Sequence, residues 1–300
     1  MIVITGATGN TGRPAAESAL ARGEKVHVIG RDAKKLEPFV ARGAEAVVAD
    51  VQDAEAMTRA FDGADAVYLI IPAALHLENF RDYQERISDA FAKAVATARV
   101  PYAVTLSSIG AQHAEKTGPI VGLHNMEHKL NDIPGLNALH LRPTHFMENL
   151  LMNIDPLKSM GFLPGGFGAD DPMAMIATKD IGKFAAERLH ARDFSGSSTH
   201  ELLGPRDVTM KEVAAMIGKA IDKPNLHYMH VPFMVLEPAL VKMGLPKSSA
   251  ALIIEMWKAC NEGAVKPEEP RSLKNTTPTT LEQFIEEVFV PAYNAKATAA

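Results

Sequence analysis

A single cysteine, Cys260, stands in this 300-residue chain. It excludes an internal disulfide and a cysteine-ligated zinc site, and it fits a reducing, cytoplasmic setting. Apolar runs approaching the roughly 20 residues of a membrane span are missing. The opening "MIVITGATG" is too short for an export signal and has no basic residues before it. Surplus positive charge is missing too. The formal net charge of -5 gives no electrostatic reason to expect nucleic acid or an anionic membrane as a partner. Hydrophobic residues at 47%, with glycine and proline at ordinary levels, exclude disordered and collagen-like classes and leave a soluble globular protein.

What is present is a rhythm. Apolar or β-branched runs at Ile2–Thr5, Lys25–Ile29, Ala46–Ala49, Ala66–Ile71, Ala103–Leu106 and Ala138–Leu141 alternate with helical spacing that begins near Thr11, Ala33, Asp53, His76 and Ile120. Several of these runs are continuously apolar, as strands are when helices cover both faces of a sheet. The pattern predicts an α/β protein with a Rossmann-like, doubly wound parallel sheet and a smaller mixed α/β C-terminal substrate region. Residues 1–150 are expected to form the nucleotide-binding domain. Residues 151–300 supply the smaller region, with some strands returning to the main sheet.

The second half is read in the same way. "SMGFLPGGFGADDPMAM" is expected to be a long loop, followed by a helix from about Thr178 to Ala191 and a strand at "THELLG". A helix from Met210 to Ile221, a strand at "LHYMHV", and helices around Pro232–Met243 and Lys247–Cys260 come next. "NEGAVKPEEPRSLKNTTPTT" reads as a solvated connector to a last helix at Leu281–Phe289, and the closing "AYNAKATAA" as a frayed end.

The most specific stretch is "VITGATGNTGRPAAESALARG", with Gly6, Gly9 and Gly12 between a strand and a helix and with Thr8, Asn10 and Thr11 interleaved. Gly6 permits a tight turn, Gly9 removes a Cβ that would hold a pyrophosphate away, and Gly12 lets the helix approach the sheet. Main-chain amides at the start of that helix would then face the phosphates. At the end of the second strand, "VIGRDAKKL" places Arg31 where a carboxylate would favour NAD(H), with Lys34, Lys35 and Arg13 nearby. A guanidinium there suits a 2′-phosphate, so NADP(H) is preferred over NAD(H), although Asp32 is adjacent.

The "TGATGNTG" spacing resembles the short-chain dehydrogenase/reductase superfamily. By that resemblance Asp50 and Val51 lie beside the adenine, and Ile71 and Pro72 of "IIPA" beside the nicotinamide ribose. Ser107 and Ser108 of "TLSSIGA" match the usual catalytic serine. The usual Tyr-x-x-x-Lys pair is absent, its positions falling at Pro119 and Leu123. "GLHNMEHKL", "LRPTHFMENLL", "ELLGPRDVTMKEVAAMIGKAI" and "TTLEQFIEEVF" resemble the NmrA-like branch. That resemblance implies a small-molecule substrate and, for some members, quinone reduction; others bind NADP(H) as redox-sensing regulators.

Without the tyrosine, His124 is the best remaining proton donor or nicotinamide-side contact, with Glu127 one turn on to orient it. Lys129 falls on another face and is expected to be solvated. His145, Phe146 and Asn149 lie just past a strand end, where open α/β sheets bind ligands. Phe162 and Phe167 are placed to form a lid over a flat substrate. The leading expectation is hydride transfer from NADP(H) to a quinone-like or other electron-deficient acceptor. A non-catalytic sensor is the alternative, using apolar "HVPFMVLEPALVKMGL" against a protein partner or a second copy. "HNMEH" also matches the H-x-x-E-H zinc-hydrolase pattern, but nothing marks a third ligand and no metal is expected. His227 and His230 of "HYMH" would point to opposite faces of a strand.

Overall fold

The computed structural model describes residues 1–295. The apolar runs of the first half become β1 (Ile2–Ile4), β2 (Val26–Gly30), β3 (Glu45–Val48), β4 (Ala66–Leu69), β5 (Tyr102–Leu106) and β6 (Asn137–Pro143). Between them run α1 (Gly12–Ala21), α2 (Ala33–Val40), α3 (Ala54–Phe61), α4 (Phe80–Ala98) and α5 (Ile120–Asn131). Then follow β7 (His145–Phe146), α6 (Ile154–Met160), β8 (Leu163–Gly165), β9 (Met173–Ile176), α7 (Thr178–Ala191) and β10 (Ser197–Leu202). The chain continues through β11 (Asp207–Val208), α8 (Met210–Ala220), β12 (Tyr228–His230), α9 (Phe233–Lys242) and α10 (Lys247–Asn261). It closes on helical turns from Leu281 to Asn294, so the last five residues of "AYNAKATAA" lie outside the described residues.

Seven parallel strands form the main sheet in the order β10-β6-β5-β4-β1-β2-β3. From β1 the chain winds outward to β2 and β3, then crosses back to β4 on the other side. The reversal opens a crevice at the carboxyl ends of β1 and β4, the place where such sheets bind ligands. Burial explains the continuous apolar runs. Ile2, Ile4, Val28 and Tyr68 face a core under α1 and α7, while Val3, Ile29, Val67 and Leu69 face another under α3 and α4. Helices α1 and α7 approach through alanine and glycine: a Cβ on Gly182 would stand 2.4 Å from the Thr11 carbonyl oxygen.

Two small sheets, β11-β9-β7 and β12-β8, carry the rest of the C-terminal region over a third core around Leu157, Val213, Ile217 and Phe284. Strand β10 follows residue 150 in sequence yet completes the main sheet beside β6. No helix among the described residues is long and apolar enough to cross a membrane.

Two expectations are corrected. The stretch read as one long loop after Ser159 contains β8, paired in parallel with β12. The connector read as solvated is stitched down. The Glu201 carboxylate accepts the amides of Glu268 and Glu269 at 2.9 Å, and Leu203 exchanges main-chain bonds with Asn275 and Thr277 at 2.7 and 2.8 Å. Polar composition signals water only where no internal partner exists; here Asn275, Thr277 and Thr279 are buried and bonded.

Candidate active site

The site begins where β1 stops. Thr5 Oγ1 donates to the Tyr68 carbonyl and accepts from the Ile70 amide, both at 2.9 Å, tying the ends of β1 and β4 together at the crevice. Gly6 then turns with φ +59°, and its carbonyl accepts the Gly9 amide at 2.9 Å. A Cβ on Gly12 would lie 2.1 Å from that same carbonyl oxygen, so no side chain fits there. The amides of Asn10, Thr11 and Gly12 have no main-chain acceptor among the described residues, and Pro14 carries none. Gly9 and Asn10 are exposed, Thr8 is half-buried and Thr11 is buried. Free amides at a helix start, beside an open glycine, are chemically suited to accept linked phosphates.

The second strand delivers Arg31 to the surface of the same edge. Asp32 is spent on α2, where its carboxylate accepts the Lys34 amide at 3.0 Å as an N-cap. Past the end of neighbouring β3, Asp50 accepts the Gln52 amide at 2.9 Å, and Arg86 Nε donates to Gln52 Oε1 at 3.1 Å. Burial raises the pKa of the Tyr83 phenol, with Arg31 and Arg86 opposing and Asp50 reinforcing the shift. Val51 is buried, and Ile71 and Pro72 sit half-buried past β4. Tyr83 and Arg86 escaped the sequence reading because they stand in the first turns of α4 with no local signature.

The serines separate. Ser107 is buried and its hydroxyl donates to Glu127 at 2.5 Å, so it does not face the crevice freely. Ser108 Oγ donates to the carbonyl of Ile109 at 2.9 Å. Glu127, expected to orient His124, instead receives Arg142 Nε at 3.0 Å and Nη2 at 2.6 Å. Its position three residues after His124 turns it inward to β5 and β6. Burial alone would raise the Glu127 pKa, but hydrogen bonds from Arg142 and Ser107 bring it below the usual carboxylate range.

His124 is half-buried, its Nδ1 lying 2.8 Å from the Ala111 carbonyl. Nδ1 therefore carries the proton, and Nε2 remains available. The His128 ring lies 4.0 Å from the His124 ring, centroid to centroid. Among the described residues no three histidine, cysteine or carboxylate side chains are arranged to hold a metal. Lys129 is not solvated as expected; it is half-buried and ion-paired with Glu85 and Asp89.

Past β6, His145 has its pKa pushed down to about 4 by burial, and its ring meets Phe167 edge-on at 5.0 Å. Phe167 meets Trp257 edge-on at 5.9 Å. Phe162 does not join them: it stacks on His227 at 5.9 Å, so the two phenylalanines do not form one lid. Phe146 packs against the core under α1 and α7, while Asn149, three residues on, is half-buried. Glu148 accepts Thr178 N at 3.0 Å and Thr178 Oγ1 at 2.5 Å, anchoring the start of α7. A cavity of about 190 Å³ lined by Met147, Met175, Arg206 and Leu281 includes none of the crevice residues.

Known proteins resemble the chain in sequence and in fold. The chain is 27% identical over 224 residues to a (4-alkanoyl-5-oxo-2,5-dihydrofuran-3-yl)methyl phosphate reductase of Streptomyces griseus, covering 75% of each chain. It is 27% identical over 270 residues to quinone oxidoreductase 2 of Escherichia coli, covering 88% of this chain and 90% of that one. The fold matches the crystal structure of NADPH-dependent quinone oxidoreductase QOR2 from Escherichia coli, complexed with NADPH. The TM-score is 0.80 at 24% identity, over 96% of this chain and 100% of the other. The pattern of the NmrA-like family matches residues 1–285, and the chain belongs to that family.

Proposed function

We propose that the protein binds NADP(H) in the crevice between β1 and β4 and reduces a flat, electron-poor acceptor of the quinone class. The observation that carries this reading is the glycine turn: three consecutive unpaired amides, an exposed Gly9 and a Gly12 that admits no side chain. Asn10, Thr11 and Gly12 would hold the pyrophosphate, and Arg31 the adenosine 2′-phosphate. Asp50 and Val51 would border the adenine, and Ile71 and Pro72 the nicotinamide ribose. The bound cofactor would supply a hydride to the acceptor.

The chain's own contribution is positioning. Where a tyrosine acid and its lysine would stand, the chain has Pro119 and Leu123. Ser107 is tied to Glu127. Alcohol–ketone chemistry relies on a positioned acid for the carbonyl oxygen. A quinone accepts hydride without one: a proton from water completes the hydroquinone, and holding the reactants in a near-attack pose supplies about 7–11 kcal/mol at best. His124 can donate from Nε2 only as the imidazolium, because Nδ1–H is committed to Ala111. Similarity to a reductase of an oxo-dihydrofuran and to a quinone oxidoreductase supports the class of acceptor.

Steady-state oxidation of NADPH against a panel of benzo- and naphthoquinones tests the proposal. Turnover with at least one quinone, faster than with simple ketones, is expected. Tight NADPH binding with no oxidation by any acceptor would return the protein to the sensor reading.

A further inference from the structure

Helix α10 spans the loops after β4 and β5, at the carboxyl edge of the main sheet, and the turn after β8. Near its start, Ser248 and Ser249 donate to the carbonyls of Glu78 and Leu77, the latter at 3.1 Å, in the loop after β4. Glu255 accepts the Gly118 amide at 3.2 Å, in the loop after β5. Asn261 at its end donates to the Gly166 carbonyl at 2.8 Å and accepts the Gly168 amide at 3.3 Å, clamping the main chain on both sides of Phe167.

Trp257 stands between these anchors, half-buried. A Cβ on Gly166 would lie 2.6 Å from its indole, so a glycine there lets the backbone lie close against the ring. Its ring meets Phe167 at an interplanar angle of 70°, and Phe167 meets His145 at 81°. Three rings drawn from β7, the turn after β8, and α10 thus make a continuous strip leading outward from the end of β6. Burial keeps the imidazole at its inner end neutral.

We propose that Trp257 is the outer wall of the acceptor slot, so that a fused two-ring quinone lies against the indole while Phe167 and His145 border its inner end. This rests on the reductase reading and deepens it to a substrate class. An electron-rich indole prefers an electron-poor, extended π-system, and a fused second ring gives it more area to cover than a single quinone ring. The Asn261 clamp makes the wall rigid; Asn261 is a positioning residue, acting through the loop that carries Phe167.

Trp257 is the only tryptophan in the chain, so intrinsic emission reports this site alone. The protein, saturated with NADP+ to prevent turnover, is titrated with 1,4-naphthoquinone, with absorption corrected against N-acetyltryptophanamide. Saturable quenching at unchanged lifetime is expected, with half-saturation raised roughly tenfold by Phe167→Ala. Linear quenching like that of the free indole would overturn the proposal. In turnover, Trp257→Leu is expected to raise the naphthoquinone KM roughly tenfold with NADPH affinity and kcat nearly unchanged, and Trp257→Phe to restore most of the loss. Equal losses in NADPH affinity and quinone KM would mark Trp257 as structural and also overturn it. Saturable quenching without NADPH oxidation would keep the slot and remove the reductase reading; turnover with only linear quenching would do the reverse.

Discussion

Arg142 of β6 grips Glu127 of α5 through two parallel hydrogen bonds, and Ser107 of β5 completes the shell of the same carboxylate. Both charged groups are buried. Charge-assisted, two-point pairing offsets the cost of removing them from water, but only while both partners remain. Arg142→Met is therefore expected to destabilise the protein by about 3–5 kcal/mol, because it strands a buried carboxylate. Glu127→Leu with Arg142→Met should recover much of that loss. Urea unfolding of the single and double variants measures both; a double variant as unstable as the single one would contradict this account.

The glycines of the first turn have different tasks, and substitution should separate them. Gly12→Ala forces a Cβ into the Gly6 carbonyl and is expected to lower thermal stability as well as cofactor binding. Gly9→Ala meets only the Gly6 oxygen at 3.3 Å and should fold nearly normally while losing nucleotide affinity. Melting curves with and without NADPH make the comparison. The reverse pattern, a stable Gly12→Ala that binds cofactor, would be inconsistent with the packing.

In the proposed reading, Arg31 is the residue that would select the phosphorylated cofactor. Arg31→Ala should weaken NADPH by about 1.5–3 kcal/mol, or roughly ten- to 150-fold, and leave NADH within about twofold, as expected for a lost charge-assisted bond. Dissociation constants for both nucleotides decide it. Parallel weakening of the two would move the preference to another cation, with Arg86 next in place.

His140 and His145 give the pH dependence a sign. Burial brings both imidazoles down to about 4 in the folded chain, against about 6.5 when unfolded. Below pH 6.5 the unfolded chain binds protons that the folded one refuses, so stability falls as pH drops from about 6.5 toward 4 and is indifferent to these groups above that window. The urea midpoint should be lower near pH 5 than near pH 7, and His145→Phe should flatten the difference. An unchanged slope in that variant would show that His145 is not kept neutral.

Much of the fold was legible because a strand covered on both faces must be apolar at every position, as Val3, Ile4, Val67 and Leu69 are. The turn at Gly6, Gly9 and Gly12 was legible because its chemistry is local. What the sequence concealed depends on juxtaposition. Glu127 and Arg142 are 15 residues apart on a helix and a strand, and nothing in their spacing shows that they pair. Trp257 lies 90 positions from Phe167 in a helix whose purpose appears only when three loops are seen beneath it. The polar run around Asn275 misled because its partners, Glu201 and Leu203, come from another strand end.

The central claim is that the glycine turn and Arg31 hold a phosphorylated dinucleotide. Titration calorimetry of the purified protein with NADPH and with NADH tests it most directly. One equivalent of NADPH should bind, at least tenfold more tightly than NADH; absence of binding heat with both nucleotides, at several temperatures, would contradict the account.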